Sequence, residues 1–278
     1  MPSLPLRSLL LLLALYLLTL GSCYEDRVGC LDPAATNYDL RADEGCGDCC
    51  TFPSLRLSLD RVYGENAFSL ADTLTDGAGN RFRVLRARFY VGDVELLAGA
   101  TFEPVPRNFV EVGVRENGDT VLTELNLNLA LLSATGSATR TIGNVRPGGS
   151  ALTDLSLTLG LPPTFADVVP TSAPASSPLS VQPGLLNFND GNGYLRGSYE
   201  YILTDTDDTL RVDLTGFEPL TLPFPAPVIP VPGTDITVDL EIDYAELFGA
   251  LNLAQPAADQ VSLAAERLPA TLRVTDVR

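Results

Sequence analysis

Residues 29 to 50, GCLDPAATNYDLRADEGCGDCC, set Cys30, Cys46, Cys49 and Cys50 among the carboxylates of Asp32, Asp39, Asp43, Glu44 and Asp48. Three chemistries suit those residue types. The C-x2-C spacing of Cys46 and Cys49 could present thiolates to zinc. Asp32, Asn37, Asp39, Asp43 and Glu44 could offer oxygens to calcium, a hard cation that accepts many oxygen ligands from a flexible loop, although the strict alternation of an EF-hand is missing. An even number of cysteines in an oxidising compartment is expected to form two disulfides, with three pairings open. A bond between adjacent Cys49 and Cys50 would strain the peptide between them, so each is expected to pair back to Cys30 or Cys46. The polar residues also fit turns, with Asp32-Pro33 and Asn37 at turn positions.

The compartment follows from the start of the chain. Arg7 precedes an apolar run from Leu9 to Leu20, too short to span a bilayer comfortably and suited to a cleaved signal peptide over residues 1–22. The run ends Leu20-Gly21-Ser22-Cys23, which looks like a bacterial lipobox and makes Cys23 the expected lipidated N-terminus. Tyr24-Glu25-Asp26 resembles the acidic surface-export signal of Bacteroidetes lipoproteins. The expected location is the outer membrane, on its periplasmic or its surface-exposed side, with the N-terminal lipid as membrane contact.

Composition excludes much. The chain carries 35 acidic against 18 basic residues, a net charge of −17, so phosphate backbones are repelled and no nucleic acid partner is expected. It has no His, no Lys, no Trp and no Met beyond Met1. That removes His-based triads, imidazole metal sites, Walker A loops and Schiff bases. Carboxylate chemistry of the glycosidase type is what remains, and the expectation is a protein that is not an enzyme. The acidic stripe Asp239, Glu241, Asp243 and the run TDTDD (204–208) read as a solvated strand face and a hairpin loop.

The elements that must position these residues are strands. Apolar residues alternate with polar ones in short runs bounded by Gly, Pro, Asn and Asp, the pattern of half-buried antiparallel strands. In VLRARFYV, Leu85, Ala87, Phe89 and Val91 share one face and Arg86, Arg88 and Tyr90 the other. ELNLNLAL (124–131), TDLSLTLG (153–160) and ITVDLEIDY (236–244) alternate likewise, and further strands are expected over 55–59, 109–114, 194–203, 210–215 and 270–277. The fold class is therefore all-β, an antiparallel sandwich or barrel of about ten strands. One or two short helices are expected, the first capped by Asp243 and the second starting at Pro256. The proline-rich segments 161–184 and 222–233 cannot be central strands and are expected as extended, solvated loops of one domain spanning 55–278, behind a cysteine-rich spacer over 23–54.

With those residues set out, LRLSLDRVYGENAFSLADTLTDGAGNRFRVLRARFYVGDVELL (55–97) resembles the opening of the MbnP-like family, periplasmic copper-binding proteins associated with methanobactin and common as Bacteroidetes lipoproteins. LLNFNDGNGYLRGSYEY (185–201) is similar to the family's aromatic-rich segment, and TVDLEIDYAELFGAL (237–251) to its late strand and short helix. The resemblance implies the fold and makes Phe188 and Tyr194 the expected ligand-facing aromatics. It also implies copper held by histidine and an oxidised tryptophan. This chain has Leu186, Asn187, Phe188 and Asn189 where the Trp belongs and Asp60 and Arg61 near the His position. The expectation is a binding or interaction module with an unknown protein or glycan partner and no cofactor, with copper or calcium capture and carbohydrate binding as alternatives.

Overall fold

Period-two alternation folds here as two sheets that bury their apolar faces against each other. The structure, a computed structural model, describes residues 25–278 except 100, 104–107, 185–192 and 207, with backbone alone for 101–103. The signal peptide, Cys23, Phe188 and Asp207 lie outside the described residues.

The strands of four residues or more are β1 (Ser54–Tyr63), β2 (Arg81–Ala98), β3 (Phe109–Glu116), β4 (Asp119–Asn126), β5 (Ala130–Ser133) and β6 (Thr139–Asn144). They continue as β7 (Leu152–Leu159), β8 (Gly197–Leu203), β9 (Thr209–Leu214), β10 (Glu218–Val228), β11 (Ile236–Asp243) and β12 (Leu272–Val277), with helices α1 (Tyr244–Phe248) and α2 (Ala257–Arg267) between the last two. One sheet runs β9-β8-β2-β7-β10, the other β6-β1-β11-β12, and β3 and β4 form a separate hairpin. Among the described residues pairing is antiparallel apart from β1 with β11, whose eight matched positions run parallel, the two-residue pairing of Val28–Gly29 with Glu44–Gly45, and a single bridge between Cys30 and Tyr38.

Between the sheets, Leu55, Leu57 and Leu59 of β1 and Val238, Leu240 and Ile242 of β11 pack with Leu155, Leu157 and Leu159 of β7 and the inward residues of β2. The inward face of β2 changes phase twice. Glu200 pairs with Arg86 but Tyr201 with Val84, so Leu85 is an extra residue and the core set passes from Phe82 and Val84 to Ala87, Phe89 and Val91. Leu85 therefore does not share the core face that strict alternation gives it. A second irregularity, where Ser156 pairs with Glu95 and Thr158 with Gly92, returns the inward positions to Val94 and Leu96.

Helix α1 begins where Asp243 accepts the Ala245 N–H at 2.9 Å, and the same oxygen accepts the Gly64 N–H at 2.9 Å. Helix α2 follows Pro256 and buries Gln260, whose amide receives the Tyr199 hydroxyl at 3.2 Å and donates to the Tyr201 hydroxyl at 2.8 Å. The turn DGAGN (76–80) ties to the loop after α1. Asp76, 5% exposed, accepts N–H bonds from Ala78, Asn80 and Leu253 and from the Asn80 amide. Position 77 must be glycine, since a Cβ there would lie 2.2 Å from the Gly249 carbonyl oxygen.

The proline-rich segments depart from expectation. The prolines of segment 222–233 predict a loop, yet residues 218–228 form strand β10 at the end of its sheet. Pro219 and Pro223 pair opposite Thr158 and Asp154 while Leu222 and Phe224 are buried. An outer edge tolerates them because it needs no donor there, and the missing N–H groups also discourage a further strand. Segment 161–184 is not solvated backbone: Leu161, Phe165, Val168, Ala173 and Leu179 join Val112, Leu127, Leu129, Leu195 and Tyr90 in a second, smaller apolar cluster. That cluster covers the outer face of β2, so Tyr90, placed outward by alternation, is fully buried. The run 124–131, expected as one strand, is broken between β4 and β5, and Leu127 and Leu129 at the break enter the same cluster.

Candidate functional site

The cysteine segment closes on itself. Cys30 bonds Cys50 and Cys46 bonds Cys49, with Cα separations of 5.1 and 5.6 Å, so none of the four sulfurs is a thiolate. The oxygens considered for calcium are spread over turns and ion pairs. Asp32 accepts the Ala34 N–H at 3.0 Å and pairs with Arg146 at 2.8 Å; Asp39 accepts the Arg41 N–H at 2.9 Å and pairs with Arg27 at 3.0 Å. Asp43 accepts the Arg27 N–H at 3.1 Å, Asn37 bridges the Cys49 carbonyl and the Thr51 N–H, and Glu44 is exposed in the short parallel pairing. Among the described residues no three His, Cys, Asp or Glu side chains gather as a metal-holding group.

This segment rests against the β domain. Besides the Asp32–Arg146 pair, a Cβ on Gly233 would come 3.0 Å from the Ala35 carbonyl oxygen, and Val145 donates to the Pro53 carbonyl at 2.7 Å. A cleft of about 560 Å³ runs between residues 32–34, residues 146–149 and Ile229, Pro230 and Pro232.

Tyr194 sits at the second cluster. Its ring meets Tyr90 edge-on at 5.6 Å, and its hydroxyl donates to the Leu179 carbonyl at 2.8 Å, as Tyr90 donates to Pro178 at 2.9 Å. Burial, then the neighbouring Tyr194 hydroxyl, raises the Tyr90 pKa. One edge of Tyr194 faces a cleft of about 230 Å³ shared with Pro162, Pro163, Phe165 and the half-exposed Phe217. Tyr194 is thus a packing residue with one edge at a surface cleft. The structure does not bring it together with the cysteine segment.

The site that alternation alone did not flag is built from arginines beside the same layer. Arg86 and Arg88 stand on the outer face of β2 where the register sets Glu200 opposite Arg86 and Ser198 opposite Arg88. Glu200 accepts from Arg86 at 3.0 Å and lies 3.7 Å from Arg211. Arg88 is 7% exposed, donates one Nη to the Pro183 carbonyl, and its Nε meets no partner among the described residues. Arg140 of β6 lies across the gap, donating Nε to the Leu131 carbonyl at 3.2 Å and one Nη to the Ser137 carbonyl at 2.8 Å. Burial and neighbouring guanidinium groups, Arg86 for Arg88 and Arg61 for Arg140, lower the pKa of both. The sequence signal was the pair of arginines on one face of VLRARFYV, but only the folded segment 174–183 makes a cleft of that face.

Near the positions that the family resemblance relates to histidine, Asp60 accepts its neighbour's Arg61 N–H at 2.9 Å, and Arg61 donates to the Ser133 and Ser137 carbonyls at 2.6 and 3.1 Å.

A two-sheet β-sandwich with a disulfide-closed N-terminal segment and a proline-rich layer over one long strand defines the class of this protein. It belongs to the MbnP family, whose model matches residues 53–263. Among solved structures it is similar to MbnP from Methylosinus trichosporium, at 15% identity and a TM-score of 0.44, over 70% of this chain and 77% of that one. No curated protein matches it.

Proposed function

We propose that this MbnP family member is a lipid-anchored, non-catalytic binding module of the cell envelope, held at the outer membrane through Cys23, with the family's copper role given up. The observation that carries the reading is the composition: with no His or Trp anywhere in the chain, the donors that the family resemblance ties to copper have no counterpart. The other soft donors are no better placed, since Cys30, Cys46, Cys49 and Cys50 are bonded in pairs. Copper therefore does not fit the residues described. Asp60 and Arg61 engage backbone groups, an arrangement that serves packing rather than metal capture.

Carbohydrate binding is the second reading, and one observation favours it. Two adjoining clefts beside segment 174–183, of about 400 and 490 Å³, are lined by hydroxyls, two amides and arginines, groups suited to a polyol. Calcium has no comparable support, since Asp32 and Asp39 are engaged by arginines. Two measurements test the primary reading on full-length protein purified without a histidine tag. Mass spectrometry of the N-terminal peptide should show a diacylglyceryl group on Cys23, and metal analysis after exposure to copper should show far less than one equivalent. Stoichiometric copper, or an unlipidated Cys23, would overturn it.

A further inference from the structure

The cleft of about 490 Å³ lies between β5, β6 and the segment 174–183, and its polar lining is one-sided. Arg88 and Arg140 face it with the hydroxyl residues Ser133, Thr135, Ser176 and Ser177 and with Gln182, and no carboxylate lines it among the described residues. In a chain with nearly two acids per base this is unusual, because guanidinium groups normally find carboxylates. The nearest candidate for Arg88, Glu200, is already held by Arg86 and Arg211. Neither Arg88 nor Arg140 has a carboxylate within ion-pair distance among the described residues. The Arg88 Nε itself is enclosed, so a ligand can meet only the rest of that group, and a desolvated guanidinium without a carboxylate is costly unless an anion comes to it.

We propose that this cleft is a binding site for a small hydroxyl-bearing organic anion of the sugar-acid class, its carboxylate received by Arg88 and Arg140 and its hydroxyls by the serine, threonine and glutamine side chains. Arg140 holds the Leu131, Ser137 and Thr139 carbonyls with its Nε and Nη1, which leaves its Nη2 to meet a carboxylate, and a guanidinium donates strongly to such an anion. The volume lies in the range of small-molecule sites, and the adjoining 400 Å³ cleft shares Arg140, Ser176, Ser177 and Pro178, leaving room for a longer chain. The inference names a ligand class for the binding role proposed above and rests on that reading.

The test is calorimetric titration of the full-length protein with D-galacturonate, D-galactose and sodium sulfate at low ionic strength. Galacturonate is expected to bind, galactose at least tenfold more weakly, and added sodium chloride to weaken galacturonate. Sulfate should compete with galacturonate but bind less well alone, since it lacks the ring hydroxyls. Arg140→Gln should weaken galacturonate at least tenfold, whereas Arg267→Gln, at the exposed end of α2, should leave it unchanged. Arg88 is buried and its replacement risks misfolding, so Ser176→Ala is the second variant and should lower affinity a few fold with the thermal midpoint unmoved. Equal binding of galactose and galacturonate, no galacturonate binding at all, or an unchanged Arg140→Gln would each overturn the inference. Binding of galactose alone would do so while leaving the module's binding role standing. Appearance of a reaction product would instead sink the non-catalytic reading with the anion site intact.

Discussion

The face between the two sheets and the face behind β2 are built from the same strand by different rules. Between the sheets, apolar residues arrive every second position and meet partners of the same kind, so burial follows from alternation. Behind β2 the sheet presents Arg86, Arg88 and Tyr90, and the cover is an irregular chain whose own backbone must be satisfied. Segment 161–184 does this with short 3-10 turns at residues 163–165 and 170–172, and with tyrosine hydroxyls donating to the Pro178 and Leu179 carbonyls. The first face gives cohesion. The second leaves polar groups and clefts open, which is where binding chemistry can reside.

If that contrast is right, the greatest loss of global stability comes from the inner face. Phe248 is fully buried and packs against Phe82 and Tyr199 at ring distances of 5.2 and 5.4 Å. Phe248→Ala should cost about 3–5 kcal/mol in denaturant unfolding, the usual range for emptying an aromatic site. A loss under about 1 kcal/mol would mean that the inner core tolerates collapse and the contrast is false.

The knot at Asp76 should come next. Burial alone would raise its carboxyl, but the Asn80 side chain and the Leu253, Asn80 and Ala78 amides outweigh that and hold its pKa below the ordinary value. A folded pKa below the unfolded one gives stability that is complete above the unfolded value, about 3.9, and that disappears as pH falls through the folded value. Asp76→Asn turns an amide toward donors and should cost about 1.5–3 kcal/mol at pH 7. Its stability should then fall less steeply below pH 4 than that of the parent chain, and parallel acid curves would contradict the assignment.

Gln260→Leu tests how the helix is fastened over the inner core. It leaves the Tyr199 and Tyr201 hydroxyls without their amide, although Tyr201 keeps its bond to the Leu253 carbonyl at 2.8 Å. A loss of about 1–3 kcal/mol is expected in thermal unfolding, with Tyr199→Phe in the leucine background recovering part of it. No recovery would show that the amide acts by shape alone.

Much of the inner face was legible because it depends only on local periodicity. Leu155, Leu157, Leu159, Val238, Leu240 and Ile242 are where alternation puts them, and Asp243 and Pro256 start helices as their chemistry suggests. Leu85 departs from alternation because a bulge depends on how two strands pair, which no single strand records. Prolines 223, 225 and 227 concealed an edge strand, since the rule against proline applies to strands with neighbours on both sides. The arginine cleft was the least legible. The sequence shows Arg86 and Arg88 on one face, but Arg140 lies over fifty positions away and segment 174–183 carries no periodic signal. Tyr194 both packs on Tyr90 and lines a surface cleft, because an aromatic serves either purpose with the same ring.

The smallest expected effect bears most directly on the contrast. Tyr90→Phe keeps the ring that meets Tyr194 and removes only the hydroxyl bonded to the Pro178 carbonyl. One neutral hydrogen bond is worth about 1 kcal/mol, but where that loss is felt depends on how the two faces are coupled. If the outer layer opens as its own unit, amide exchange over residues 161–182 and in β3 should speed up about fivefold, while the slowest amides of β1 and β11 keep their rates. If the whole molecule unfolds as one, the same loss should appear in every slow amide alike. The first result would explain how a proline-rich cover can adjust to a ligand while the sandwich beneath it stays fixed. The second would make the clefts as rigid as the core and would confine their ligands to shapes that already fit.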